Sequence, residues 1–291
     1  MSDSHSSYYL PEPSHWPILG SIALFTSFSG AALLLNGSQF GTLLLGAGLT
    51  VLIFMLSGWF GTVIRESVAG FYNKQVDISF RWGMGWFILS EVMFFAAFFG
   101  ALFYARIYSV PWLSGTGTGY ATHEFLWPKF MANWPMSVMP DPSNFSQYES
   151  VMPPWGIPAM NTLILLTSGL TVTLAHWALK KGNRTGLCWW LFATFALGFT
   201  FVFMQAHEYM HAYTELGLTL NSGIYGSTFF MLTGFHGFHV TMGATMLVVI
   251  WARSLKGHFS EHNHFAFEAV SWYWHFVDVV WLFLFVFVYW L

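Results

Sequence analysis

The chain has 291 residues, of which 55% are hydrophobic, 21% aromatic and only 8% charged, and its mean hydropathy is +0.54. Soluble domains carry about 25% charged residues, so this composition predicts a polytopic membrane protein. The 10 lysines and arginines are outnumbered by 13 acidic residues, which excludes a basic surface for nucleic acid, and the single cysteine excludes an internal disulfide or a thiolate metal cluster.

Apolar runs of about 20 residues, long enough to cross a bilayer as a helix, follow one another along the chain. The seven predicted spans are residues 17–35, 41–64, 79–108, 156–179, 187–211, 224–253 and 266–291. The first two are separated only by residues 36–40, which predicts a tight helical hairpin. Residues 109–155 are rich in glycine and proline and are predicted to form an extramembrane loop. Together these features predict a single all-α transmembrane domain over residues 1–291.

The positions of lysine and arginine predict the orientation of the spans, because these residues are retained on the cytoplasmic or equivalent side. The connections place eight of them on one side and two on the other. The eight are Arg65, Lys74, Arg81, Lys180, Lys181, Arg184, Arg253 and Lys256, and the two are Arg106 and Lys129. The N-terminus is therefore expected inside and the C-terminus outside.

Span three carries an acidic residue at a depth where charge is costly. Arg81 lies near the inner interface, and Glu91 follows ten residues later in the sequence. At 1.5 Å per residue this is roughly 15 Å deeper, near the middle of the hydrocarbon. A carboxylate there has to be neutral, hydrated or paired. Two interpretations stay open: a structural hydrogen bond between helices, and a proton-exchanging group.

Spans six and seven carry further ionisable residues at a similar depth. His236 and His239 are three residues apart, as are His275 and Asp278, so the members of each pair share a helix face. Hydrogen bonds between histidine and carboxylate on different helices would satisfy these groups, and a structural role is the favoured interpretation. Glu268, at the start of span seven, also requires a partner.

Residues 207–211 read H-E-Y-M-H, which fits the H-E-x-x-H pattern of zinc proteases. In that interpretation His207 and His211 bind zinc and Glu208 is the general base. However, the motif lies at the predicted outer end of span five, and no third ligand motif follows at a useful spacing. A chain with 12 histidines also matches so short a pattern easily by chance. Zinc proteolysis is therefore the least favoured alternative, and neither catalytic residues nor metal ligands are predicted.

Several segments carry patterns that are more specific than hydropathy. The most specific are H-F-A-F-E-A at 264–269 and W-Y-W-H-F-V-D-V-V-W-L-F at 272–283. The others are R-W-G-M-G-W-F-I-L-S-E-V-M-F-F at 81–95, N-T-L-I-L-L-T-S-G-L-T-V-T-L-A-H at 161–176 and Q-A-H-E-Y at 205–209. Together these segments resemble the cytochrome c oxidase subunit III family, bacterial type. The family often has an acidic residue where this chain has His211, and that departure creates the apparent zinc motif.

The resemblance implies a helical body divided into a two-helix and a five-helix bundle, with phospholipid in the V-shaped cleft between them. It implies an accessory subunit of an aerobic respiratory cytochrome c oxidase that holds no haem or copper itself. Such a subunit lies beside subunits I and II, which hold the haem and copper. It supports proton uptake and the durability of subunit I while electrons pass from cytochrome c to oxygen, coupled to proton translocation. The alternative is the equivalent subunit of a quinol oxidase or another haem–copper relative, which usually has fewer helices.

The resemblance also implies a location and roles for individual residues. The loop is longer than in mitochondrial relatives, which favours a bacterial inner membrane with a cytoplasmic N-terminus and a periplasmic C-terminus. Glu91 is implied to face subunit I and to assist proton delivery outside the oxygen-reducing centre. The expected interhelical polar network consists of Gln205, Glu208, Tyr209, His236, His239, Glu268, His275 and Asp278. The lipid-binding candidates are Arg65, Glu66, Arg81 and Arg253, with ordinary positive-inside anchoring as the alternative for the arginines.

Overall fold

The computed structural model describes residues 9–136 and 138–291, and within these residues all regular structure is helical. The helices are α1 (Trp16–Leu35), α2 (Phe40–Val68), α3 (Lys74–Tyr104), α4 (Val110–Leu113), α5 (Tyr120–Leu126), α6 (Ile157–Lys180), α7 (Arg184–Thr214), α8 (Gly223–Leu255) and α9 (Phe265–Leu284). A π-helical turn, Ala105–Ser109, joins α3 to α4, and another, Phe285–Trp290, continues α9. Seven spans in the described chain are long and apolar enough to cross a membrane, α3 to α4 counting as one. The predicted all-helical fold with seven transmembrane helices is therefore confirmed.

The helices extend beyond the apolar runs from which they were predicted. Helix α2 continues to Val68, past the predicted end at residue 64, and α3 begins at Lys74 rather than at residue 79. The third span ends at Leu113, so the predicted loop begins later than residue 109, and it contains the short helix α5. Hydropathy marks only the part of a helix inside hydrocarbon. Outside it, backbone hydrogen bonds continue through residues whose charged side chains reach water.

The chain divides into two compact units, Met1–Trp82 and Gly83–Leu291. In the first unit, α1 and α2 pack through small residues. Helix α1 buries Gly20, Ala23, Ser27 and Gly30, and α2 buries Gly41, Gly48 and Met55. A methyl group added to Gly48 would lie 2.5 Å from the backbone nitrogen of Ser27. Such close backbone approach is typical of helices that associate within a membrane.

The core of the second unit is aromatic and centres on α9. Trp274 and Trp281 are almost completely buried, and each indole N–H donates a 2.9 Å hydrogen bond to α6, to Ser168 and Thr162 respectively. A methyl group on Gly243 of α8 would come within 2.8 Å of Trp274. The indole rings and the glycine therefore fix the rotation of α9 about its axis, and with it the direction of its polar side chains.

The loop that follows α5 is tied to the connection between α7 and α8. The Tyr148 hydroxyl donates a 2.6 Å hydrogen bond to the Met136 carbonyl, and the Glu149 amide donates to the Leu216 carbonyl at 2.9 Å. Burial raises the pKa of Tyr148 to about 12, so its hydroxyl stays protonated and available as a donor. These bonds order the loop although most of it lacks regular structure.

Candidate functional site

The central polar contact of the second unit joins α3 to α8. Glu91 Oε2 lies 2.8 Å from His239 Nε2, a distance expected for a charge-assisted hydrogen bond. On its other side, His239 Nδ1 lies 2.6 Å from the Phe235 carbonyl oxygen one turn earlier in α8. This carboxylate therefore has a partner, as its depth in span three required.

The two contacts of His239 determine what the pair can do chemically. A carbonyl oxygen can only accept, so Nδ1 carries a hydrogen and Nε2 faces Glu91. One further proton lies in the Glu91–His239 contact. It belongs either to the carboxyl group, giving a neutral pair, or to the imidazole, giving an ion pair. The two partners can thus pass that proton between them and keep their hydrogen bond. Loss of the proton would leave the carboxylate facing the Nε2 lone pair.

Aromatic rings surround this pair on the protein side. The centroids of the Phe95 and Phe94 rings lie 5.0 and 5.9 Å from that of His239, and Tyr273 stacks on the imidazole at 6.4 Å. The Glu91 side chain is 21% exposed whereas that of His239 is 10% exposed. Glu91 is therefore the end of the pair that is open to the surroundings of α3.

His236 and His239 contact different helices, although they are three residues apart. His236 Nε2 lies 3.2 Å from the Val277 carbonyl of α9, and its ring lies against Trp281 with the centroids 5.1 Å apart. The side chain is 1% exposed. His236 therefore joins α8 to α9, whereas His239 joins α8 to α3.

Gln205 and Glu208 belong to a second buried polar group. The Tyr289 hydroxyl donates to Glu208 Oε1 at 2.6 Å, and the Gln205 amide donates to the same oxygen at 3.2 Å. Asn161 of α6 extends the group by donating to Gln205 at 3.4 Å. Tyr209 lies apart from it and shares a 2.6 Å hydrogen bond with Thr233 of α8. These contacts join α7 to α6, to α8 and to the turn that follows α9.

The H-E-Y-M-H segment does not have the geometry of a zinc protease. His207 is exposed, while Glu208 is fully buried and accepts a hydrogen bond from Tyr289. His211 lies 3.1 Å from Glu215 one turn further along α7. The carboxylate that would have to activate water thus points away from the two imidazoles and into the protein.

His275 and Asp278 lie on one face of α9, with His275 Nδ1 3.6 Å from Asp278 Oδ2. The Asp278 carboxylate rests against the backbone of Gly169 in α6, at a position that a Cβ would occupy. His275 Nε2 lies 3.4 Å from the Thr173 hydroxyl. This pair connects α9 to α6 and forms a third polar group, separate from Glu91.

Glu268 forms a fourth group with two histidines that the sequence analysis did not select. Its Oε1 lies 3.6 Å from His176 Nε2 of α6 and 3.4 Å from His264 Nε2 just before α9. In the described part of the chain, these three are the group of histidine, cysteine and carboxylate side chains close enough to hold a metal ion. The H-x-x-x-E spacing of His264 and Glu268 is a signal that could have identified two of them. His176 comes from a distant helix and required the tertiary structure.

The residues selected as lipid ligands in the first unit contact their own neighbours. Arg65 is exposed and donates to Thr62 at 3.0 Å, whereas Arg81 pairs with Asp77 at 2.8 Å. Glu66 accepts a 2.7 Å hydrogen bond from the Tyr72 hydroxyl. Burial, and next the hydrogen bond to Glu66, raises the pKa of Tyr72 well above its usual value, so this hydroxyl remains a donor.

Arg253, the remaining lipid candidate, is buried in the second unit. Its side chain is 8% exposed, and the guanidinium carbon lies 4.6 Å from the centre of the Phe259 ring. An arginine on an aromatic face gains a cation–π contact. The guanidinium is therefore less accessible to a phosphate group than that of Arg65.

Comparison with known proteins identifies the family to which this architecture belongs. The family model described as cytochrome c oxidase subunit III matches residues 5–122 and 125–291. The chain is also 40% identical to proteins named cytochrome c oxidase subunit 3 from Felis catus, Equus caballus and Raphicerus melanotis. Each match spans 291 residues and covers 100% of this chain and 99% of the relative. With its apolar helices, the chain is an integral membrane protein, and it belongs to the cytochrome c oxidase subunit III family, the accessory subunits of an oxidoreductase complex.

Proposed function

We propose that this chain is a non-redox subunit that supports proton uptake by the oxygen-reducing subunit of an aerobic cytochrome c oxidase. The observation that carries the proposal is the Glu91–His239 pair, which can hold one proton and ends in a carboxylate that is 21% exposed on α3. The aromatic rings behind His239 favour exchange through the Glu91 side of the pair. The full-length family match supports the wider assignment.

The surface of α3 supports a partner beside Glu91. Only 11% of the most apolar part of this span is buried within the chain, and large side chains such as Trp86, Phe87 and Met93 are exposed. A membrane helix with this surface requires lipid or another subunit to cover it. In the proposal, subunit I covers the Glu91 side, subunit II completes the core of the complex, and cytochrome c supplies electrons. Haem and copper are held by these partners.

Purification through a tag on this chain tests the assignment. In mild detergent we expect haem and copper to copurify on other chains, and we expect the complex to oxidise reduced cytochrome c. Haem spectroscopy, metal analysis and peptide identification measure these outcomes. A lone chain that reduces oxygen by itself would contradict the accessory role, and a complex that oxidises quinol but not cytochrome c would assign the chain to a quinol oxidase.

Phospholipid is the other ligand in this proposal. Arg65 and Arg81 flank the connection between α2 and α3, and a guanidinium group matches phosphate oxygens in shape and charge. Arg65 is the better candidate because its guanidinium is exposed, whereas Arg81 is paired with Asp77. Glu66, held by Tyr72, would accept from an amine headgroup.

The location proposed is a bacterial inner membrane, with the N-terminus in the cytoplasm and the C-terminus in the periplasm. The support is the distribution of lysine and arginine, eight on one set of connections and two on the other. The long connection between α4 and α6 would then lie in the periplasm.

A further inference from the structure

A second cluster of chemically active side chains lies where α6 ends and α9 begins, away from the Glu91–His239 pair. It consists of His176 of α6, His264 at the start of α9 and Glu268 in the first turn of α9. One ligand atom from each residue lies within 4.8 Å of the other two. We propose that these three residues bind one divalent transition-metal ion, with Zn²⁺ the best fit.

The tautomer of His264 presents a lone pair to such an ion. His264 Nδ1 lies 3.0 Å from the Ser260 carbonyl oxygen, and because that oxygen can only accept, Nδ1 carries the hydrogen. Nε2, which faces Glu268, is then unprotonated in the neutral ring. Metal-binding histidines are commonly oriented in this way by a carbonyl that accepts from the other ring nitrogen.

The separations between the ligand atoms match a tetrahedral metal better than direct hydrogen bonds. Glu268 Oε1 lies 3.4 Å from His264 Nε2 and 3.6 Å from His176 Nε2, beyond the roughly 2.8 Å of a charged hydrogen bond. Two ligands placed about 2.0 to 2.1 Å from a tetrahedral zinc ion are about 3.3 Å apart. An octahedral magnesium ion with ligands at a similar distance would bring them to about 2.9 Å. Two imidazoles and one carboxylate are also ligands that zinc prefers.

The burial of two imidazole nitrogens also favours a bound metal ion. His176 Nε2 and His264 Nε2 are shielded from solvent and make no hydrogen bond with any residue that the structure describes. A buried polar atom without a partner is costly, and coordination would satisfy both atoms together. The bound ion would connect the end of α6 to the start of α9 and leave the fourth tetrahedral position for water or for a ligand from a partner. A zinc ion at this site would connect two helices whether or not the chain supports proton uptake.

Zinc titration of the purified complex tests this site. Preparations stripped with a chelator are titrated with Zn²⁺ against a chromophoric competitor, and bound zinc is counted per copy of this chain. We expect the unsubstituted protein to bind one zinc ion more than His176→Ala or His264→Ala, and Glu268→Gln to weaken that site at least about tenfold. X-ray absorption at the zinc edge should show two imidazole nitrogens and one carboxylate oxygen at about 2.0 to 2.1 Å.

Two matched controls separate this site from the other histidines. His262→Ala removes an exposed imidazole two residues from His264, and His207→Ala combined with His211→Ala removes the protease-like motif. Both controls should retain the extra zinc ion. Equal zinc stoichiometry and affinity in the unsubstituted protein and all three site variants would overturn the proposal, as would loss of zinc in a control alone.

Helix content measured by circular dichroism shows whether each variant folds. Glu268→Gln keeps the side-chain volume, so its zinc affinity tests the site if a histidine variant does not fold. Zinc is counted per chain whether or not haem copurifies. Failure of the zinc site can therefore be distinguished from failure of the proposed function.

Discussion

At the scale of single residues, the carboxylates of Glu208 and Glu91 differ in their exposure and in their hydrogen-bond partners. Glu208 is completely buried and is fixed by the Tyr289 hydroxyl and the Gln205 amide. Glu91 has a single imidazole partner and is partly exposed on α3. A carboxylate with several internal donors is suited to holding helices together. One that is partly open, with an imidazole behind it, is suited to exchanging a proton.

Glu91→Gln tests this difference, because it keeps the volume and a hydrogen-bonding group beside His239 but removes the carboxyl group that we propose exchanges a proton. We expect the complex to assemble and to retain most of its steady-state oxygen reduction, with a measurable loss in the rate of proton uptake. Oxygen consumption measures turnover, and the rise in pH inside reconstituted vesicles, from which protons are taken up, measures the rate of proton uptake. Complete loss of turnover in an assembled complex would show that Glu91 is catalytic and that an accessory role is wrong.

Glu91→Leu is the informative comparison at the same position. The imidazole Nε2 of His239 would lose its partner in a largely buried position, at a cost of about 1 to 3 kcal/mol. We expect a lower thermal midpoint for this variant than for Glu91→Gln, measured on the detergent-solubilised complex. Equal midpoints would indicate that the hydrogen bond contributes no stability.

At the scale of the helices, the first unit depends on how closely α1 approaches α2. The glycines of α2 are not equivalent in this contact. Gly48 lies against the Ser27 backbone, whereas a methyl group on Gly46 would meet no described residue within 4 Å. The same substitution at the two positions therefore separates helix packing from helix propensity.

Gly48→Ala should destabilise the first unit, although alanine is the better helix former. Moving the helices apart is expected to cost about 1 to 3 kcal/mol. This matches or exceeds the roughly 1 kcal/mol gained from helix propensity, and the contact includes backbone atoms, which cannot turn aside as a flexible side chain would. Gly46→Ala increases helix propensity without a steric clash against α1, so it should be neutral or stabilising. Thermal unfolding of the two variants in the same detergent measures the difference, and equal midpoints would contradict the packing argument.

At the scale of the whole molecule, the charge distribution predicts which connections face each compartment. We expect a cysteine at Glu149, in a background with Cys188→Ala, to react with a membrane-impermeant maleimide from the periplasmic side of intact spheroplasts. A cysteine at His262 should react only after permeabilisation. Both positions are exposed in the structure, so accessibility depends on the side of the membrane, and the opposite labelling pattern would reverse the proposed orientation.

The proposed lipid binding also belongs to the scale of the assembled molecule. Replacing Arg65 and Arg81 together with alanine should reduce the phospholipid retained after purification, measured by mass spectrometry of the extracted lipid. Arg65→Ala alone should account for most of the loss, because Arg81 is paired with Asp77. Arg106→Ala, on the opposite predicted side, is the matched control. Unchanged lipid in the double variant would leave positive-inside anchoring as the explanation for both arginines.

The sequence by itself determined the membrane class, the number of spans and the family, because these depend on local information. An apolar run of about 20 residues identifies a span wherever it lies, and the segments around Glu91 and Asp278 carry the family resemblance. Only the tertiary structure decided which polar groups meet. Glu91 and His239 are 148 residues apart in the chain, and spacing alone did not separate His236 from His239.

The physical reason is that such a contact depends on the rotation of each helix about its own axis. That rotation is set by interlocking side chains from different helices, such as Trp274 against Gly243. It is equally what brings His176 of α6 to His264 and Glu268. Hydropathy records that a helix crosses the membrane, whereas the packing of its neighbours determines what each of its faces touches.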